Sequence, residues 1–298
     1  MKEYLYSEIF HSIQGEGQYT GVPTSWLRFF LCNLQCNGFG QDDPTDPKSY
    51  KLPYTEINVE DYDHMEDLPV FEYGCDSSYS WAKKFKDLQR KGTIEQIATK
   101  IRESMISNKN PKGLFNFGYT NQHMCFTGGE PLMKHAQLAS VELLQEFIEQ
   151  KDEPLSVTYE TNGTQLLSND FMDFFQTWQR DRLNEVFFSI SPKLFSVSGE
   201  KAEKAIRPDI ISQYYKLSNE GQLKFVINGS EESWREMEDV IDNCRALGVL
   251  YPVWVMPVGA TVEGQKILDA DVAHEAFKRG YNVAARVHTY LFGNLIGV

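Results

Sequence analysis

The chain has 298 residues, enough for one large hydrophobic core or two modest ones, and a formal net charge of −13. That charge argues against a nucleic-acid binder, which needs a basic face, and no stretch is apolar enough to span a membrane. Five cysteines make no disulfide scaffold in a chain this long and point to metal binding or catalysis in a reducing compartment; Met1-Lys2-Glu3-Tyr4 carries no signal-peptide pattern, so a cytoplasmic protein is expected.

In chain order, the first feature is the polar, glycine-bearing segment Ser12-Ile13-Gln14-Gly15-Glu16-Gly17-Gln18-Tyr19-Thr20-Gly21. It is either a mobile loop or, with Arg28, a reader of a planar polar heterocycle bearing a carboxylate, for which arginine supplies a two-pronged clamp. A buried strand is predicted over Ser25–Cys32, followed by Cys32-Asn33-Leu34-Gln35-Cys36. Residues 37–74 then hold ten acidic residues against two lysines, with Pro44, Pro47, Pro53 and Pro69. They read as a solvated acidic surface insertion. Cys75-Asp76-Ser77 follows it. Thr93 with Gln96 predicts a capping box opening a helix with Ile94, Ile97, Ile101 and Met105 on one stripe.

Further strands are predicted over His123–Thr127, Ser156–Glu160, Glu185–Ile190, Gln222–Ile227 and Pro252–Met256, from their Val, Ile, Phe and Trp content. Ser230 predicts a helix cap, with Trp234, Met237, Ile241, Cys244 and Leu247 on one face and Gly248 as the stop. Alternating strands and helices imply an α/β fold with a parallel sheet, whose chemistry gathers at the C-terminal strand ends. Four polar motifs fall there: the cysteines, Thr127-Gly128-Gly129-Glu130-Pro131, Glu160-Thr161-Asn162-Gly163-Thr164 and Ser191-Pro192-Lys193. The two glycines allow close backbone approach, and Pro131 suits a helix start.

The cysteines have three readings. Cys32 and Cys36 could be small buried hydrophobes. They could be part of a zinc site, although paired Cys-x-x-Cys knuckles are missing. Or they could join Cys75 on an iron–sulfur cluster. Cys125, in an apolar strand, and Cys244, on an apolar helix face, read as structural.

In order along the chain, Ser12-Ile13-Gln14-Gly15-Glu16-Gly17, Cys-Asn-Leu-x-Cys, Cys-Asp-Ser, Thr-Gly-Gly-Glu-Pro, Glu-Thr-Asn-Gly-Thr, Ser-Pro-Lys and Leu223-Lys224-Phe225-Val226 resemble the 7-carboxy-7-deazaguanine synthase family of radical S-adenosylmethionine (SAM) enzymes. The resemblance runs from about residue 7 to the C-terminus and excludes 37–74. It implies a single domain, 1–298, built as a partial, modified (β/α) barrel of the radical SAM type with a long inserted loop. It implies a 4Fe–4S cluster on Cys32, Cys36 and Cys75. It implies SAM against Gly74, Asp76, Gly129, Glu160, Thr161, Asn162, Ser191, Pro192 and Lys193. The pterin substrate, 6-carboxy-tetrahydropterin, would meet Ile13, Gln14, Gly15, Glu16, Arg28, Thr127, His288 and the carboxylate of Val298. Magnesium would sit on Ser77, where threonine is the more usual residue. The implied reaction is radical ring contraction with loss of ammonia, in a homodimer served by a flavodoxin or ferredoxin. In the family the third cysteine follows the second closely; here Phe39 stands at that spacing and Cys75 takes its place. Another small radical SAM enzyme, such as a glycyl-radical activating enzyme, and a zinc-stabilised scaffold are the competing readings.

Overall fold

The computed structural model describes residues 2–118 and 120–297. Its strands are β1 (Tyr4–Ile13), β2 (Pro23–Phe29), β3 (Arg90–Gly92), β4 (Asn116–Phe117), β5 (Thr120–Asn121), β6 (His123–Gly128), β7 (Ser156–Thr161), β8 (Glu185–Ile190), β9 (Gly221–Ile227), β10 (Val253–Pro257) and β11 (Asn282–Val283). Its helices are α1 (Ile94–Ser104), α2 (Lys134–Glu149), α3 (Asn169–Arg182), α4 (Phe195–Ser198), α5 (Ala202–Ala205), α6 (Pro208–Leu217), α7 (Glu231–Ala246), α8 (Val262–Lys266), α9 (Asp269–Arg279) and α10 (Val287–Phe292). Nine strands form one sheet in the order β11-β10-β9-β8-β7-β6-β2-β1-β3, and β4 pairs with β5 apart from it. No helix among the described residues is long and apolar enough to cross a membrane.

The six expected strands are present as β2 and β6 through β10. Their pairings are parallel, and they bring Phe29 opposite Gly128, Thr161 opposite Ile190 and Ile227 opposite Pro257. The strand ends therefore share one rim. The sheet is not wholly parallel, however: β1, which was not foreseen, runs antiparallel to both β2 and β3. β2 also stops at Phe29, short of Cys32, because Leu31 takes φ +91° and leaves the extended region.

Side chains packed on the sheet bury Phe126, Tyr159, Phe188 and Trp234 completely or nearly so. The α1 capping box forms, with Gln96 N–H on Thr93 Oγ1 and Thr93 N–H on Gln96 Oε1. In α7, Ser230 Oγ accepts from Ser233 N–H, and Trp234, Met237, Ile241 and Cys244 are buried. Leu247 is not part of that face: the helix has ended, and it is exposed. Pro131 does not open α2, since Leu132 and Met133 N–H turn back onto Glu130 and the helix begins at Lys134.

Residues 37–74 are not a solvated loop. They bury Tyr54, Met65, Leu68 and Phe71 in a small apolar cluster with Tyr79, Ala82 and Phe85, and Ile296 packs against it. Lys84 Nζ donates to Thr55 O and Ile57 O, and Arg90 pairs with Glu66, so later chain fastens the insertion down. Part of the N-terminal polar segment is fixed too. Gly17–Tyr19 is a short helical turn, with Gln18 N–H on Gln222 Oε1 and the Tyr19 ring edge-on to His123 and Phe187.

Candidate active site

A cavity of about 310 Å³ opens along the rim of strand ends. That volume lies at the lower end of small-molecule sites. The cysteine segment forms one wall. Leu31 is pinned from two sides, by its N–H on Ser80 O and by Glu130 N–H on its carbonyl. Glu200 Oε1 accepts from the N–H groups of Gln35 and Cys36, and Gly38 N–H binds Ser198 O, so the loop is also held from the α4–α5 side. Cys36 itself takes φ +53°. The insertion has a closed neck: Gly74 N–H donates to Phe39 O at 2.8 Å, and Gly40 lies so close to Glu72 that a Cβ would sit 2.7 Å from its carbonyl oxygen. The neck returns the chain to its starting point, and Cys75 lines the cavity beside Cys32 and Cys36 despite the residues between.

The donor chemistry suits a soft, multi-iron cluster. Three thiols share one wall, and Cys32 Sγ accepts from Leu34 N–H at 3.3 Å and lies 3.8 Å from Asn162 Nδ2. Burial pushes the Cys32 thiol up to about 12 and raises Cys36 and Cys75; Cys75 adds to the rise at Cys32 and Cys36, and Cys32 adds to that at Cys36. Such thiols are poor nucleophiles until a cation offsets their charge. Among the described residues no three His, Cys, Asp or Glu side chains converge closely enough to hold a single metal ion.

The glycine turn packs against the cysteine segment. A Cβ on Gly128 would lie 2.3 Å from Phe29 O, and one on Gly129 2.3 Å from Leu31 O and 2.8 Å from Cys32 Cβ. Glu130, wholly buried, does not face a ligand. Its carboxylate accepts from Leu132 N–H, Thr161 Oγ1 and Asn162 N–H, tying the β6 and β7 ends together, and burial pushes its pKa up to about 7. Asn162 in turn donates to Asn33, and Lys193 Nζ to Ser191 Oγ.

The opposite wall is ionic. Glu16 accepts from Lys224 Nζ and, at 3.1 Å, from Arg286 Nε. Burial alone would raise Glu16, but Lys224, Arg286 and His288 hold it well below the usual carboxylate range. Arg286 also reaches Asp76 at 2.8 Å, Lys224 lies 3.6 Å from Glu160, and Gln14 Nε2 donates to Glu160. Gly15 backs onto His288, whose Nδ1 would stand 1.9 Å from a Cβ there. Arg28 Nε pairs with the buried Glu8 at 2.5 Å. Glu16, Lys224, Arg286 and Asp76 are thus paired with one another, as charges inside low-dielectric walls need to be.

Comparison with known proteins finds relatives along the whole chain. The chain is 24% identical to the 7-carboxy-7-deazaguanine synthase of Rhodopirellula baltica, over 98% of this chain and 88% of that protein. It is 24% identical to the one from Thermoplasma acidophilum, over 99% and 100%, and 25% identical to the one from Pyrobaculum aerophilum, over 97% and 95%. This chain is similar end to end to 7-carboxy-7-deazaguanine synthases. No family model matches it. The crystal structure of QueE from Escherichia coli aligns with TM-score 0.48 and 19% identity, over 95% of this chain and 93% of that one.

Of the residues expected from the synthase resemblance, Ile13, Gln14, Gly15, Glu16, Arg28, Cys32, Cys36, Gly74, Cys75, Asp76, Ser77, Thr127, Gly129, Glu160, Thr161, Asn162, Ser191, Lys193 and His288 all line the one cavity. Pro192 is buried and does not line it. Val298 lies outside the described residues. Sequence reading missed Lys224 as a site residue, along with Arg286, Glu8, Tyr79 and Glu200. Lys224 stood inside a recognised motif; Arg286 meets Glu16 from 270 positions away and had no local signal.

Proposed function

We propose that this cavity is the active site of a 7-carboxy-7-deazaguanine synthase acting on 6-carboxy-tetrahydropterin. The chain is an enzyme of that kind: it contracts the pterin ring with loss of ammonia. One observation carries the reading. Three thiols and a set of paired charges line a single cavity, and all of them except Arg286 come from the motifs of the resemblance. We read the open sheet as the partial, modified (β/α) barrel of the radical SAM type.

Cys32, Cys36 and Cys75 would hold the 4Fe–4S cluster, and the turns at Gly129, Glu160–Asn162 and Ser191–Lys193 would hold SAM. Bound there, the two would supply one-electron radical chemistry. The chain's own task is placement and exclusion of water. Gln14 and Glu16 read the heterocycle edge; their own partners, Glu160, Lys224 and Arg286, fix their side chains. Arg28 clamps the substrate carboxylate, and His288 and Thr127 complete the pocket. Ser77 would offer magnesium its hydroxyl, a hard oxygen donor of the kind that ion takes; in the structure that hydroxyl lies 3.5 Å from Cys75 Sγ. A cytoplasmic homodimer reduced by a flavodoxin or ferredoxin completes the proposal.

The test is turnover. Anaerobic protein given reductant, SAM, magnesium and the pterin should release the deazapurine carboxylate, detected by mass. Cleavage of SAM with the pterin recovered intact would assign the chain to another radical SAM activity.

A further inference from the structure

We infer that Glu8 is the positioning residue for Arg28 and that Tyr79 ties this pair to the cysteine loop. The inference rests on the reading of Arg28 as the substrate clamp. Glu8 lies on β1 and is 1% exposed. Its Oε1 accepts from Arg28 Nε at 2.5 Å and from Tyr79 Oη at 3.0 Å. Tyr79 sits in the short turn Ser78–Ser80, four residues beyond Cys75, and the Arg28 guanidinium lies 5.8 Å from its ring centre. One carboxylate oxygen thus joins the strand carrying the clamp to the loop carrying the third cysteine.

Three observations give this junction a role beyond packing. First, Glu8 is the partner the described residues offer Arg28 through Nε, while Arg28 lines the cavity. Its Nη groups are left for a ligand carboxylate. Second, Glu8 Oε2 is buried with no hydrogen-bond partner among the described residues. A buried carboxylate with half its acceptors idle is a poor way to stabilise a fold. Third, a second carboxylate, Asp76, lines the same cavity and is paired with Arg286. Glu8 keeps Arg28 on the β1–β2 side.

The experiment is a double-variant cycle on the reconstituted enzyme, reading KM for the pterin and for SAM with cluster content. Arg28→Ala should raise the pterin KM. Glu8→Gln should raise it about tenfold or more with the KM for SAM at the parent value, and in the Arg28→Ala background it should add nothing. Tyr79→Phe should give a smaller rise of the same kind, and it carries the comparison should Glu8→Gln fail to fold. A normal pterin KM in Glu8→Gln, or a further rise in the double variant, overturns the inference while leaving the clamp. A normal pterin KM in Arg28→Ala removes the clamp itself.

Discussion

Gly129 is the most exposed to refutation of the residues that build the site. An alanine there places its Cβ 2.3 Å from Leu31 O, 2.6 Å from Leu31 C and 2.8 Å from Cys32 Cβ, where ordinary contact begins at 3.4 Å. Something must move by about 1 Å, and all three atoms belong to the cysteine segment. That segment cannot yield cheaply, since Leu31 is anchored by Ser80 O and Glu130 N–H and already holds φ +91°. Overpacking of this kind costs about 1–3 kcal/mol, and losing both anchors adds about 1 kcal/mol each. Gly129→Ala should therefore be destabilised by about 3–5 kcal/mol and should carry Cys32 away from its place. Urea unfolding of the apoprotein gives the first quantity, and iron and sulfide per chain after anaerobic reconstitution give the second. Parent-like values for both would refute the packing of this turn on the cysteine loop.

Other predictions follow from other parts of the molecule. Asp152 accepts from Arg102 and from the N–H groups of Phe115 and Asn116; burial alone would raise its pKa, but these donors hold it below the usual 3.8. Its folded pKa is depressed, so its contribution is present above the unfolded value and is lost as pH falls through the folded one. Asp152→Ala should cost about 3 kcal/mol at neutral pH, and the gap from the parent should shrink below about pH 4; a gap constant from pH 7 to pH 2 contradicts this. Phe71→Ala removes a ring that packs edge-on to Tyr54 within the insertion's apolar cluster. Amide exchange should rise through residues 41–72, whereas unchanged exchange there would mean the cluster does not hold the insertion. Ser77→Ala should keep cluster and SAM binding and lose most of the magnesium stimulation of turnover; a parent-like response moves the metal to the carboxylates.

What the sequence made legible was local. β8 matched its expected span, and β6, β7 and β9 differed only at their ends, because runs such as Glu185-Val-Phe-Phe-Ser-Ile carry enough apolar, β-prone residues to declare a buried strand. The caps at Thr93 and Ser230 were legible for the same reason, being side-chain contacts across three residues. β1 was hidden because its polar Ser7 and Glu8 are buried and bond to Gln89, Arg28 and Tyr79, partners no local window contains. The insertion's core was masked by its acids: Met65 and Phe71 are scattered among carboxylates with no helical or strand period. The glycines of the β6 turn were assigned to the right place for an incomplete reason. They are expected to let backbone near a ligand; what the structure shows is their close approach to Phe29, Leu31 and Cys32. Arg286 and Glu16 form an ion pair that only the closed fold brings together.

Iron and sulfide analysis of Cys75→Ala, beside Cys244→Ala, tests the central claim most directly. The claim is that the closed neck of a 38-residue insertion delivers Cys75 as the third ligand of one cluster site. The parent and Cys244→Ala should each bind about four irons and about four sulfides per chain, since Cys244 is buried in the α7 face away from the cavity. Cys75→Ala should bind almost none and lose the thiolate-to-iron absorbance. A full cluster in Cys75→Ala would contradict the account.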